Sequence, residues 1–256
     1  MLSNSLNLIT KRILLPSELS IKVCKERLWK EYQIWILLKA ISNGHIRLRG
    51  DQIEFLSNYL RMSEKTVRRK IKSLLGLNWI GYNPTSKYYF IRSIDTVRII
   101  EKIAKRRAYW LELKYINDIK GFCAATIITE LIISQKRKLS RGWAEKERRQ
   151  FKPPAYYKIS LYSLTKIFGL SQRNASEIRK KSTDNFTEFK ENFEPLIDSG
   201  KQLSCKEKAF IKHNLTNQEL RKVRCINKKL FKQLPNSYRS RLIMGKRRNG
   251  QNWKHY

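Results

Sequence analysis

The segment between Leu56 and Leu75 constrains the fold more than any other part of the sequence. Its apolar residues fall at helical spacing before and after a short polar break, and Ser63 at the end of that break is a favourable N-cap. Two short helices separated by one tight turn are therefore predicted. The core-facing positions of the second helix are Val67, Ile71, Leu74 and Leu75.

The opposite face of this second helix is polar and mostly basic. Such a helix is suited to the DNA major groove, because its N-terminal side chains reach base edges while Lys and Arg hold phosphates. A helical hairpin with a solvated basic face is the alternative interpretation. The outward residues are Glu64, Lys65, Thr66, Arg68, Arg69 and Lys72.

The surrounding sequence resembles a winged helix-turn-helix over residues 28–93. A helix is predicted from Leu28 and is stopped by Asn43–Gly44, and a short strand follows at residues 45–49. Beyond the helix pair, a turn-rich loop at residues 81–86 leads into a returning strand at residues 87–92, as a wing would. The resemblance implies that the helix 64–75 enters the major groove. Lys65, Thr66 and Arg69 are then the expected base readers, and Arg68, Lys72 and Lys87 the expected phosphate contacts.

A second copy of the helix-turn-helix pattern occupies residues 164–179, 108 positions after the first. Ser171 corresponds to Ser63, and Gly169 lies in the turn, where a positive φ is commonly needed. The equivalent base readers are Gln172, Arg173, Asn174 and Ser176, with Lys180 as a further DNA contact. Gln and Asn suit adenine, and Arg suits guanine.

An acidic strip from Asp184 to Asp198 follows the second copy and contains a single lysine, Lys190. Phosphates would repel an acidic wing. We therefore expect either that this strip faces away from DNA or that the second copy serves partly for protein contact.

The net charge supports a polyanionic partner. The chain has 55 Lys and Arg against 21 Asp and Glu, a formal charge of +34, while its 41% hydrophobic content is enough for a folded core. Double-stranded DNA is the expected partner, and a membrane surface is the second option. The longest apolar run, Thr126 to Ile133, is too short to span a bilayer and contains Glu130. Without a signal-peptide core at residues 1–10, a cytoplasmic, nucleoid-associated location is expected.

Enzymatic chemistry is not indicated by the sequence. Asp and Glu are scattered, there is no Gly-rich phosphate loop, and none of the four cysteines belongs to a CxxC pair. We therefore expect no catalytic residues, no metal and no cofactor. The cysteines are expected to be reduced thiols.

The predicted fold class is α+β, mainly helical with small β wings, in the form of two tandem winged-helix domains joined by a long helix. Lys246, Arg247 and Arg248 are predicted to lie in a flexible basic tail that enters a groove or follows phosphates, with a solvated chain end as the alternative. The predicted boundaries are residues 1–27 for an N-terminal segment, 28–94 and 121–198 for the two domains, 95–120 for a connecting helix, and 199–256 for a basic helical extension and tail.

Two such domains in one basic chain resemble the plasmid-type replication initiators. The resemblance implies binding to repeated origin sites, recruitment of replication proteins and repression of the chain's own promoter, and it is compatible with a homodimer. A transcription regulator with the same DNA-binding mode is the first alternative. A non-specific structural protein that binds DNA or RNA is the second.

Overall fold

The computed structural model describes residues 10–104, 107–141, 152–182, 185–195, 223–226 and 229–245, together with positions 205 and 209. Over this part of the chain the fold is α+β, with helices and small antiparallel sheets. The helices are α1 (Ser17–Glu26), α2 (Trp29–Ile41), α3 (Gly50–Leu60), α4 (Glu64–Gly76), α5 (Ile94–Ile100), α6 (Ile119–Arg141), α7 (Leu161–Phe168) and α8 (Gln172–Lys181). The strands are β1 (Arg12–Pro16), β2 (His45–Ile46), β3 (Ile80–Asn83), β4 (Tyr88–Ile91), β5 (Ala108–Glu112), β6 (Tyr157–Lys158), β7 (Thr187–Pro195), β8 (Val223–Ile226) and β9 (Lys229–Ser240).

Elements α2 to β4 form what we call the first unit. Its chain order is helix, short strand, two helices and a hairpin, and its sheet has the order β2-β4-β3 with all pairs antiparallel. Residues 31–38 of α2 are buried continuously, so this helix is the central one. The predicted helix 64–75 is confirmed as α4, and the predicted returning strand 87–92 is confirmed as β4. The predicted loop at residues 81–86 is wrong over residues 81–83, which belong to strand β3.

An aromatic cluster fills the centre of the first unit. Tyr32 and Trp35 stack with ring centroids 6.0 Å apart, and Trp79 packs edge-on against Trp35 at 5.5 Å. The indole N–H of Trp79 donates to Glu101 Oε1 at 2.6 Å, and Lys22 Nζ lies 2.7 Å from Glu101 Oε2. The buried indole is thus satisfied by a carboxylate that is itself paired, as a polar group in a core requires.

Elements α6 to β9 form the second unit, which repeats the element order of the first. A helix is followed by a short strand, two helices and the strands β7, β8 and β9, of which β8 has no counterpart in the first unit. The sheet order is β6-β9-β7, with β8 also paired to β9. The order β6-β9-β7 matches β2-β4-β3, because in each sheet the last strand lies between the other two. The repeat predicted from the helix pairs therefore extends to the sheets.

The predicted helical extension at residues 199–256 is wrong over residues 223–226 and 229–240, because these form the strands β8 and β9. Val223, Ile226 and Leu230 have helical spacing in the sequence, but β9 pairs with β6, β7 and β8, and this pairing overrides local preference. The second unit consequently does not end at residue 198. Its central strand comes from residues 229–240.

The predicted connecting helix at residues 95–120 is also wrong. Helix α5 ends at Ile100, Lys102 adopts a positive φ of 53°, and β5 follows. Within β5, Tyr109 and Leu111 are buried on either side of the more exposed Trp110, which is the period of a strand. Gly121, immediately after the predicted connecting helix, lies inside α6, which begins at Ile119.

The two units meet at a small sheet. Strand β1 pairs antiparallel with β5, and on the other edge of β5 the N–H of Trp110 donates to the Ile243 carbonyl at 3.0 Å. Gly245 N–H likewise donates to the Ala108 carbonyl at 3.0 Å. The buried side chains of both units belong to one continuous hydrophobic cluster, so the repeat lies within a shared core.

Candidate nucleic-acid interface

Helix α4 is fixed by one apolar face and one partly buried ion pair. Val67, Ile71 and Leu74 are buried against the rest of the first unit. On the same side, Lys70 Nζ lies 2.6 Å from Glu31 Oε1 in α2. Removing Lys70 would leave the buried Glu31 carboxylate without its cation, so this pair holds α4 at a defined orientation on α2.

The other face of α4 carries cations that point into solvent. Arg68 makes an exposed pair with Glu64 at 3.3 Å, which stabilises the helix only weakly. Lys65, Arg69 and Lys72 are exposed, and no described residue forms an ion pair with them. The polar face forms a shallow depression of about 460 Å³, lined by Glu64, Lys65, Arg68, Arg69 and Lys72. The structure thus brings five of the predicted outward residues together on one surface.

Thr66 sits differently from the other predicted base readers. Its backbone N–H donates to Ser63 Oγ at 3.3 Å, which caps the helix, and the two hydroxyl oxygens lie 2.9 Å apart. The hydroxyl of Thr66 therefore already has a partner in the N-cap. Thr66 can therefore contact a base through its methyl group or through a second hydrogen bond of its hydroxyl.

The β3–β4 hairpin of the first unit has a tight turn with a cation at its tip. Asn83 Oδ1 accepts hydrogen bonds from Thr85 N–H at 2.9 Å and Ser86 N–H at 3.3 Å, an Asx-type turn. Lys87 is exposed and adopts a positive φ of 56° immediately before β4. Next to this hairpin, the Arg47 guanidinium lies 4.5 Å from the centroid of the Tyr88 ring. These positions place two cations on the sheet side of the first unit.

The second helix pair repeats the construction of the first. Ser171 Oγ accepts from Asn174 N–H at 3.2 Å, in the same way that Ser63 accepts from Thr66 N–H. Ala175 and Ile178 are buried, and Gly169 adopts the positive φ of 60° that the sequence predicted for the turn. Gln172, Arg173 and Lys180 are exposed and Ser176 is half-buried.

The predicted adenine reader Asn174 is already engaged within the protein. Arg27 Nη2, at the end of α1, donates to Asn174 Oδ1 at 3.0 Å. An ideal Cβ at Gly169 would lie only 3.8 Å from Lys25 Nζ, so the end of α1 lies beside the turn between α7 and α8. Sequence reasoning missed Lys25 and Arg27, because nothing local shows that α1 packs next to α8.

Strand β7 forms most of the acidic strip. Glu188 accepts from Tyr156 Oη at 2.9 Å and from Arg241 Nε at 3.0 Å, and these bonds, Tyr156 first, lower the pKa of the Glu188 carboxyl. Part of the strip's charge is therefore compensated by residues that flank the strands of the second sheet. The predicted tail residues Lys246, Arg247 and Arg248 lie outside the described residues.

Comparison with protein-family models, with curated proteins and with solved structures gave no match for this chain. Within the described ranges, no group of three or more His, Cys, Asp or Glu side chains is placed to hold a metal ion. No described helix has both the length and the apolar character needed to cross a bilayer.

Proposed function

We propose that this chain binds double-stranded DNA, that both of its units are winged helices, and that α4 inserts into the major groove. The observation that carries the proposal is the exposed face of α4, where Lys65, Arg69 and Lys72 have no ion-pair partner among the described residues. Three unpaired cations on one rigid helix face match what a groove-reading helix requires.

The element order and sheet order of each unit support the winged-helix part of the proposal. In the first unit α4 is the second helix of a pair and is followed directly by the hairpin of β3 and β4. A helix placed in the major groove brings such a hairpin near the flanking backbone. Lys87 at its tip is a suitable phosphate contact, and Arg69 and Lys65 are suitable partners for guanine.

The overall charge favours the same partner. A formal charge of +34 opposes folding through self-repulsion, and binding a polyanion removes that penalty by neutralising the cations. Phosphate contacts alone would give binding without sequence preference, whereas an ordered set of side chains on α4 adds base readout.

The experiment is a selection from random duplex DNA with the full chain, at roughly physiological salt, where phosphate-only binding is weak. We expect a preferred motif to emerge. A binding assay then compares wild type with the triple variant Lys65→Ala, Arg69→Ala and Lys72→Ala, which we expect to bind the motif at least about tenfold more weakly.

The matched control removes three cations from the exposed end of α6 instead, as Lys136→Ala, Arg137→Ala and Lys138→Ala. Both triple variants lower the net charge equally, so only a loss confined to the α4 variant supports insertion of that helix. Equal losses in the two variants, or equal affinity for duplex DNA and duplex RNA with no motif, would contradict the proposal in favour of a non-specific packaging protein.

For the biological role, we propose initiation of replication on a plasmid or other mobile element. Two helix pairs in one chain suit a composite site with two unlike halves, and tandem copies of that site are what an initiator needs. Transcription regulation would use the same chemistry. Mapping the selected motif onto DNA separates the two, because repeats clustered at an origin favour initiation and single sites at promoters favour regulation.

A further inference from the structure

A groove of about 340 Å³ lies between α1, which precedes the first unit, and α8 of the second. Its polar lining residues are Arg27, Lys120 of α6, and Arg173, Asn174, Glu177 and Lys181 of α8. Four of these side chains are cationic, and one is a carboxylate. The groove therefore has a clear excess of positive charge.

The carboxylate does not compensate the whole groove. Glu177 Oε1 lies 3.7 Å from Arg173 Nε, and Glu177 Oε2 lies 4.0 Å from Lys181 Nζ, both long and exposed pairs. Arg27 and Lys120 form no ion pair with any described residue. The two cations contributed from outside α8 thus remain available to an anion.

The Arg27 guanidinium is also held in place. It donates to Asn174 Oδ1 at 3.0 Å, across the boundary between α1 and the second unit, and Arg27 itself ends α1 with a φ of 59°. A guanidinium oriented by a neutral amide keeps its remaining N–H donors and its full charge. Planar donors of this kind bind phosphate oxygens in a bidentate manner.

We propose that this groove binds a phosphate group, and that in the complex this is a backbone phosphate of the DNA held by α8. This inference rests on the proposed function. Arg27 and Lys120 would be the main ligands, with Arg173 at the rim. Asn174 would then act as a positioning residue for Arg27, rather than as an adenine reader.

The first test is the salt dependence of binding to the selected duplex by the full chain. The variant Arg27→Asn with Lys120→Ala removes both ligands, and Asn tolerates the positive φ at position 27. Each lost phosphate contact lowers the slope of log K against log salt by about 0.9, so we expect a slope about two smaller in magnitude. The selected motif should not change. The control is Lys136→Ala with Lys138→Ala, which alters charge equally on α6.

A second variant tests the groove by a change that should strengthen binding rather than weaken it. Glu177→Gln removes the one carboxylate while keeping its shape, so affinity for duplex DNA should rise several-fold at low salt. A destabilised protein would not gain affinity, and thermal unfolding of each variant verifies that it is folded. An unchanged or weaker affinity for Glu177→Gln would contradict the proposal.

The outcomes separate this proposal from the proposed function. If wild type binds its motif and the groove variant has the same slope as the control, the groove proposal is wrong while insertion of α4 stands. If wild type does not bind duplex DNA, the proposed function is wrong. Thermal unfolding with and without inorganic tripolyphosphate then tests whether the groove binds phosphate at all. Thermal stabilisation of wild type but not of the groove variant would assign the site to a free polyphosphate, and stabilisation of neither would exclude a phosphate site.

Discussion

The two helix pairs of this protein share their construction and differ in their surroundings. In both, a serine caps the second helix and apolar residues of equivalent position are buried, Leu56 with Leu164 and Val67 with Ala175. The polar face of α4 opens directly to solvent, whereas α8 has the end of α1 beside it and Arg27 bonded to one of its side chains.

The charges on the two faces differ as well. Position 177 corresponds to Arg69 of the first copy but carries a glutamate, so α8 has an acid where α4 has an expected guanine reader. A repeated backbone does not imply a repeated ligand, because the residues at the surface and the neighbouring elements decide what each helix can contact. We infer that α4 is the main base-reading helix and that α8 contributes more through phosphates.

The strongest test of the structural equivalence is truncation of a buried leucine in each copy. Leu56 and Leu164 are both fully buried, so Leu56→Ala and Leu164→Ala should each lower the free energy of unfolding by about 2–5 kcal/mol. Urea denaturation measures both losses. A loss below about 1 kcal/mol at one position alone would show that the two copies are not packed equivalently.

Arg69→Ala is expected to have the next largest effect, on DNA binding. It should cost about 1–3 kcal/mol at the selected motif and relax the preference at one base pair. Lys72→Ala should instead weaken all duplex sequences alike. Competition binding against single-base variants of the motif measures both, and exchanged behaviour of the two variants would reverse their assigned roles.

The two N-caps provide a smaller and matched effect. Ser63→Ala and Ser171→Ala each remove one side-chain acceptor from a helix start, which should destabilise the protein by about 1 kcal/mol in each case. Thermal unfolding monitored by circular dichroism measures this shift. A neutral result at Ser171 would mean that contacts with α1, rather than the cap, hold the start of α8.

The smallest expected effect is a pH dependence of stability that arises in the second unit alone. Bonds from Tyr156 and Arg241 lower the folded-state pKa of Glu188, and position 80, its counterpart in the first copy, is an isoleucine. The stabilisation from Glu188 is therefore complete above the unfolded value of about 4.3 and is lost as the pH falls through the lower folded pKa. Glu188→Gln should reduce the loss of unfolding free energy at acid pH, as seen when stability is measured against pH. An unchanged loss would show that these bonds contribute nothing.

Local patterns in the sequence predicted the parts of the fold that depend on local interactions. The cap at Ser63 and the apolar spacing through Leu74 gave helix α4, and the faces of both helix pairs followed from the same period. The strands β5 and β9 could not be found in this way, because their identity depends on partners far along the chain, such as Arg12 for Glu112. Tyr109, Trp110 and Leu111 alternate in burial, but three residues are too few to distinguish a strand from a helix.

The same distinction applies to the candidate site. The cations of α4 were predicted because one helix carries them all, whereas the groove between α1 and α8 combines residues separated by more than a hundred positions. Only the packing of the folded chain brings Arg27 to Asn174. Sequence periodicity gives the face of a helix but not the identity of its neighbour.

The position of β9 has a consequence for synthesis of the chain. It is the central strand of the second sheet. Helices α7 and α8 are therefore synthesised before the strand that completes the sheet of the second unit. At about 5–20 residues per second, the ribosome needs about 3–12 s to travel from the end of α8 to the end of β9. During that interval the first unit already has its own hairpin, while the second unit has no central strand. Nascent chains stalled before Ser240 are therefore expected to engage chaperones through the second unit.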